Sequence, residues 1–316
     1  MIRPLRDAIA QGFSRSGVST WLRKIQERGR VATILVYHDP SAEVFDTHLE
    51  FLRERYTIVP LDTVVDALHS GDWPTLPLPP LVLTLDDGHR GNAKLAEVLR
   101  AHDVRATIYA CSGLVGTHRH FWWTHAARRA HALIELPHDQ RLAALRALGF
   151  EPDQEYETPQ ALSLEELTRL RPWIQFGSHT RTHPILPHCD DATAWHEIEA
   201  SRAELSALTT QRCDHFCFPN GDLSARDLEF VRRAGYRSAR TTRVGRVREG
   251  SDPFQLPAIG VGDDDSVDML ALRLATFYSL LGSTTFRAYR HMLRRRTKRS
   301  HATRAADPHP PSAPDS

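Results

Sequence analysis

Short apolar runs of strand length recur along this chain, and the segments between them carry helical spacing. Residues 31–37 are rich in β-branched side chains and end at His38-Asp39-Pro40. Phe45, Leu49 and Leu52 then mark a helix over residues 45–55. Residues 56–59 read as a second strand, and 61–68 as a helix capped by Asp62. After a proline-rich connector at 73–80 come a strand at 81–85, a helix at 92–102 and a strand at 106–110. Ser163 and Glu166 have the offset of a capping box and predict a helix to about residue 170. A strand at 173–176, a helix at 192–208, a strand at 215–218 and a helix at 225–234 follow, with further strands at 236–241 and 255–261. This alternation predicts a parallel α/β architecture. Residues 121–165, opening with Phe121-Trp122-Trp123, interrupt it as a mostly helical insertion.

Two strand exits carry chemistry. Asp86-Asp87-Gly88 closes the run at 81–85, and roughly ninety residues later Gly177-Ser178-His179-Thr180-Arg181-Thr182-His183-Pro184 closes another. One carboxylate and two imidazoles are a sufficient protein set for a catalytic divalent metal with open positions. The second carboxylate is then free to act as a base. If strand geometry persists, Asp86 and Asp87 point to opposite sides. If the histidine segment is helical or tightly turned, His179 and His183 point the same way. With 18 histidines in the chain such a pair means little alone, and the Asp-Asp-Gly exit gives it weight.

Composition excludes several classes. The net charge of +1 gives no steering toward nucleic acid. Cys111, Cys189, Cys213 and Cys217 are too few and too scattered for a disulfide framework. Cys213 and Cys217, with His215 between them, read as free thiols near a buried strand, because no second ligand pair follows at a zinc-finger spacing. Residues 1–30 carry seven Lys or Arg and no uninterrupted apolar region, so they read as a helical lead-in and not a secretory signal. No stretch approaches 18 uncharged apolar residues, and the default expectation is a cytoplasmic protein. Residues 287–304 hold eight Lys or Arg and no acid, which reads as a solvated helix end before a floppy tail or as a surface for peripheral contact with anionic lipid or an acidic polymer. The expected organisation is a lead-in at 1–30, a main domain at 31–261, a basic helical segment at 262–304 and a disordered tail at 305–316.

Thr84-Leu85-Asp86-Asp87-Gly88 resembles the Thr-Phe-Asp-Asp-Gly motif of the polysaccharide deacetylases, the NodB-homology group also called carbohydrate esterase family 4. His179 to His183 resembles that family's His-Ser/Thr-x-x-x-His segment, and Phe218-Pro219-Asn220-Gly221 its third motif. Ile34-Leu35-Val36-Tyr37-His38 is similar to the Tyr-His opening of members from exopolysaccharide clusters, and the likeness runs over residues 31–261. The resemblance implies a distorted (β/α)7 barrel. It implies that Asp87, His179 and His183 hold a divalent metal, zinc first with cobalt or nickel as alternatives, and that Asp86 is the general base. The metal would polarise an N-acetyl carbonyl and bind the attacking water, and the Asn220 N–H would share the oxyanion. The implied substrate is an N-acetylated polysaccharide or a glycan precursor such as a lipid-linked intermediate. An O-acetyl esterase or a non-catalytic glycan-binding member are the alternatives.

The chain departs from the family pattern in three places. Asn220 stands for the usual Tyr. Cys217 stands for the usual Arg, which leaves Arg90, Arg181 or Arg240 to orient Asp86. The late Leu-x-His motif is missing, since no histidine lies between His215 and His291. The catalytic acid is therefore expected at His38, on the same rim as the metal, with His188 and His89 as further candidates. Phe121, Trp122 and Trp123 are open to either sugar stacking or core packing.

Overall fold

The computed structural model describes residues 10–12, 31–126 and 129–275. The readings for the rest of 1–30, for 276–304 including the basic run, and for the tail at 305–316 lie outside the described residues. Among the described residues no helix is long and apolar enough to cross a membrane.

The strands are β1 (Thr33–Tyr37), β2 (Thr57–Ile58), β3 (Pro80–Leu85), β4 (Ala106–Ala110), β5 (Ile174–Ser178), β6 (His215–Cys217), β7 (Ser238–Val244) and β8 (Leu256–Gly260). The helices are α1 (Ala42–Arg53), α2 (Leu61–Ser70), α3 (Leu95–His102), α4 (Trp122–Ala126), α5 (Ala130–Ile134), α6 (His138–Arg146), α7 (Leu164–Leu170), α8 (Asp191–Thr209), α9 (Ala225–Arg233) and α10 (Val267–Leu274). The strands pair in the order β1-β8-β7-β6-β5-β4-β3, and β3 pairs again with β1, so these seven parallel strands close a ring. β2 lies beside the start of β3, through Ile58↔Leu81. The ring is uneven: β5 and β6 share the single register pair Ser178↔Phe216, and the β7–β8 ladder slips between Arg240 and Val244. This is the distorted (β/α)7 barrel that the family resemblance implies.

Burial explains the strands. All five residues of β1 and all six of β3 are buried. Leu35 and Tyr37 join one apolar cluster while Ile34 and Val36 join another, the period-two partition of a strand covered on both faces. Helix starts follow local chemistry. Ser163 accepts from the Glu166 N–H while Glu166 accepts from the Ser163 N–H, which is the predicted capping box at α7.

Three expectations need correction. Asp62 does not cap α2, whose first turn follows Pro60; its carboxylate instead reaches His215 Nε2 at 3.0 Å and Gln175 Nε2 at 2.7 Å, tying α2 to β5 and β6. The helix read from residue 92 begins as a 3-10 turn, Arg90–Lys94, and becomes α-helical only at Leu95. There Asn92 Nδ2 donates to the His38 carbonyl at 2.8 Å, holding the turn against the end of β1. The insertion is helical only through α6. Its exit is extended: Ala161 bridges His89, and the Leu162 N–H donates to the Gly88 carbonyl at 3.0 Å. The insertion thus returns onto the Asp-Asp-Gly turn.

Gly177, beside Tyr109 in the β4–β5 ladder, has no room for a side chain. A Cβ there would lie 2.7 Å from Tyr109 Cδ1 and 2.9 Å from the His215 carbonyl oxygen. Gly177→Ala is therefore expected to cost about 1–3 kcal/mol of stability. Urea unfolding checks this, and an unchanged midpoint would refute the packing argument.

Candidate active site

The site begins where β3 stops. The Asp86 N–H donates to the Tyr37 carbonyl, and the Gly88 N–H turns back to the Asp86 carbonyl at 2.9 Å. Asp87, at the centre of this three-residue turn, has a φ of 72°. Such a turn is rare and strained for a residue with a side chain. Gly88 follows at φ 78°, where a Cβ would come within 3.0 Å of Ala110 Cβ. Strand alternation therefore ends at Leu85. Asp86 and Asp87 do not point to opposite sides, as strand geometry would have it, but line one cavity of roughly 260 Å³.

The histidine segment is a tight turn and not a helix, with positive φ at Thr180 and His183. The His183 N–H donates to Thr180 Oγ1 at 3.0 Å. Glu197 of α8 accepts from the N–H groups of Arg181 and Thr182 at 2.7 and 2.9 Å, and from Thr182 Oγ1 at 2.6 Å. These bonds fix the turn so that the two imidazoles meet edge to face, 4.7 Å between centroids. Glu197 carried no motif that would mark it in the sequence. It becomes visible only once α8 is packed beside the turn.

Asp87 Oδ1 lies 3.4 Å from His179 Nε2 and 3.5 Å from His183 Nε2. His179 Nδ1 is 2.8 Å from the Cys217 carbonyl, which can only accept, so Nδ1 donates there and in the neutral ring it is Nε2 that presents a lone pair. A lone pair facing a carboxylate oxygen in a buried site is unfavourable unless a cation lies between them. Burial, and then His179, push His183 down to about 3, so it is a neutral imidazole. Burial alone would raise Asp87, but its neighbours, the His89 hydrogen bond foremost, hold the carboxylate well below its usual range. One carboxylate and two imidazoles that turn Nε2 toward it suit a divalent metal. All three are buried, and their donor atoms lie within 4.8 Å of one another.

Beside this set, Asp86 pairs through both oxygens with the fully buried guanidinium of Arg240. Burial favours the neutral acid, but Arg240, then His179 and His38, outweigh it and lower the Asp86 pKa. Of the three arginines that could orient Asp86, the structure selects Arg240. Arg90 goes to Glu166 at 3.4 Å and Arg181 to Glu204 at 2.8 Å. Arg240 is the ladder partner of Cys217 across β6 and β7, and its Nη2 sits 2.8 Å from Cys217 Sγ. A guanidinium on β7 reaches the carboxylate over the small Cys217 side chain.

His38 is exposed and lines the cavity, with its N–H donating to Asp263 Oδ1 at 3.0 Å. Asn220 also lines it, held at φ 55° in the turn Pro219–Gly221, with its carbonyl accepting from Thr242 Oγ1 at 2.9 Å. His188 is absent from the cavity wall, and its Nδ1 is 3.1 Å from the Leu136 carbonyl. His89 is held on Asp87 Oδ2 at 3.0 Å. Phe121 belongs to the main core, Trp122 packs in a smaller buried cluster while it lines the cavity, and Trp123 also lines the cavity. Trp122 Nε1 donates to the His183 carbonyl at 2.9 Å. The four cysteines are free and buried, and His215 between two of them bonds to Ser238 and Asp62.

Comparison with known proteins agrees with this fold. None of the curated proteins compared with the chain matches its sequence. Among solved structures, the chain is similar to the Streptococcus pyogenes deacetylase PplD in complex with acetate, at 18% identity and a TM-score of 0.58, covering 77% of this chain and 98% of that one. It is similar to IcaB from Ammonifex degensii at 18% identity and a TM-score of 0.58, over 78% and 97% of the two chains. The BpsB deacetylase domain from Bordetella bronchiseptica matches at 13% identity and 0.55, over 74% and 97%. At such identities these likenesses show the fold. The family model for polysaccharide deacetylases matches residues 75–239, just over half of the chain, and spans the Asp-Asp-Gly turn, the histidine turn and the Pro219–Gly221 turn, so the chain belongs to the polysaccharide deacetylase family.

Proposed function

We propose that this protein is a metal-dependent hydrolase that removes N-acetyl groups from the amino sugars of a polysaccharide or of its precursor. The observation that carries the reading is Asp87 Oδ1 facing two imidazole Nε2 atoms, with an ionised second carboxylate in the same cavity. Asp87, His179 and His183 would hold the cation; nitrogen and oxygen donors of this kind suit zinc, with cobalt or nickel as alternatives. When bound, the cation supplies Lewis acidity, which acidifies water and polarises the acetyl carbonyl. Asp86, kept ionised by Arg240, takes a proton from the attacking water. The Asn220 N–H donates to the acetyl carbonyl oxygen as it becomes the oxyanion. His38, on the rim, gives a proton to the sugar nitrogen as the carbon–nitrogen bond breaks, leaving acetate and a free amine.

The Tyr37-His38 opening supports a role in exopolysaccharide synthesis, and the charge of residues 287–304 supports a lipid-linked substrate held near an anionic membrane. Acetate release from N-acetylglucosamine oligomers, measured before and after chelation, tests the central claim. Activity is expected to vanish with the metal and to return with added zinc. Undiminished turnover after thorough metal removal would refute it.

A further inference from the structure

The two oxygens of Asp87 have different neighbours. Oδ1 faces the imidazoles of His179 and His183, while Oδ2 lies 3.0 Å from His89 Nε2. An ionised carboxylate only accepts, so His89 donates through Nε2. His89 follows Gly88 in an extended conformation, φ −55° and ψ 144°, which brings its ring back beside the strained turn. The ring is held from elsewhere as well. Its centroid is 4.7 Å from that of Phe121, the first residue of the insertion. Its backbone bridges Ala161, where the insertion returns, and the Arg90 N–H donates to the Gln160 carbonyl at 2.8 Å. Both ends of the insertion therefore close on this one histidine.

A bond between residues two apart is often only a local contact. Three facts argue for more. The His89 side chain is only 20% exposed, so the bond is shielded from water. It engages the one carboxylate oxygen that the other histidines leave aside. Phe121 also stacks on Trp123 at 4.7 Å, and Trp123 lies 4.5 Å from the His183 ring, so one aromatic run backs His89 and a proposed metal ligand alike.

We infer that His89 is a positioning residue: it holds Oδ2 of Asp87 so that Oδ1 is the oxygen offered to the cation, and Phe121 fixes its ring for that purpose. This rests on the proposed metal site. Hydrogen-bond partners of ligating carboxylates typically contribute 10–100-fold to metal affinity, because they remove the ligand's alternative orientations.

The test is zinc affinity, measured by chelator competition on metal-stripped wild type, His89→Ala, His89→Gln and His179→Ala, with melting of the metal-free proteins as the folding control. His89→Ala is expected to bind zinc about 10–100-fold more weakly. His89→Gln, whose amide N–H reaches the place of Nε2, is expected to recover most of that loss. His89→Ala with wild-type affinity, or His89→Gln as weak as His89→Ala, would overturn the inference while the metal site stood. Zinc bound equally by wild type and His179→Ala, or by neither, would overturn both together. Should His89→Ala fail to fold, a glutamine variant as tight as wild type supports the role, and a glutamine variant weakened tenfold or more rejects it.

Discussion

Asp86→Asn is expected to lower kcat by about 10²–10⁴-fold, the range for a general base removed from a transition state, while the zinc content stays at the wild-type value. Asn keeps the shape of the side chain and loses its capacity to take a proton. Asp86 and Asp87 are adjacent but have different partners, so the change should leave the set of Asp87, His179 and His183 intact. Stability is a separate matter. Arg240 is completely buried, and Asp86 is its anion. Breaking a buried pair by removing one partner costs about 3–5 kcal/mol, because the other charge is left without compensation. The double variant Asp86→Asn/Arg240→Met should regain much of that stability and none of the activity. Turnover at the wild-type rate in folded Asp86→Asn protein would remove Asp86 from the chemistry.

His179→Ala should go further, abolishing both tight zinc binding and measurable acetate release. It deletes the imidazole whose tautomer is fixed by the Cys217 carbonyl and leaves Asp87 and His183 as two donors. A metal that binds only the folded state at a thousand times its dissociation constant adds about 4 kcal/mol of stability. The wild-type melting temperature should therefore climb with added zinc, and that of His179→Ala should not. Mass spectrometry under native conditions and zinc-dependent melting read the two effects without any substrate. A variant that still binds zinc tightly and turns over would show that the histidine turn is not where the metal sits.

Much of the barrel is legible in the sequence because its strands are buried on both faces. Residues 81–85 and 106–110 appear as near-continuous apolar runs, and each run has a helix after it. The nearness of Asp87 to the two histidines follows from that pattern, since parallel strands deliver their exits to one rim. What the sequence leaves open depends on geometry between elements. Choosing Arg240 over Arg90 and Arg181 requires the β6–β7 register, which sets Arg240 beside Cys217. The convergence of Asp86 and Asp87 requires the positive φ of Asp87, which no local propensity predicts. Asp62 has the position of a helix cap, but His215, far along the chain, competes for the same carboxylate and wins it. Glu197 has an ordinary residue type at an unremarkable spacing and finds its partners only through packing, and His89, a candidate acid in the sequence, is instead held on Asp87.

The pairing of Arg240 with Asp86 from the strand next to Cys217 bears on how relatives of this chain are sorted. The carboxylate has a guanidinium, yet this guanidinium lies more than twenty residues later in the polypeptide than the linear motif would place it. Sequences that lack arginine at the third motif should not be filed as inert relics on that ground alone. Those that carry one on the adjoining strand can supply the counter-charge sideways, and a comparison of neighbouring ladder positions would detect it.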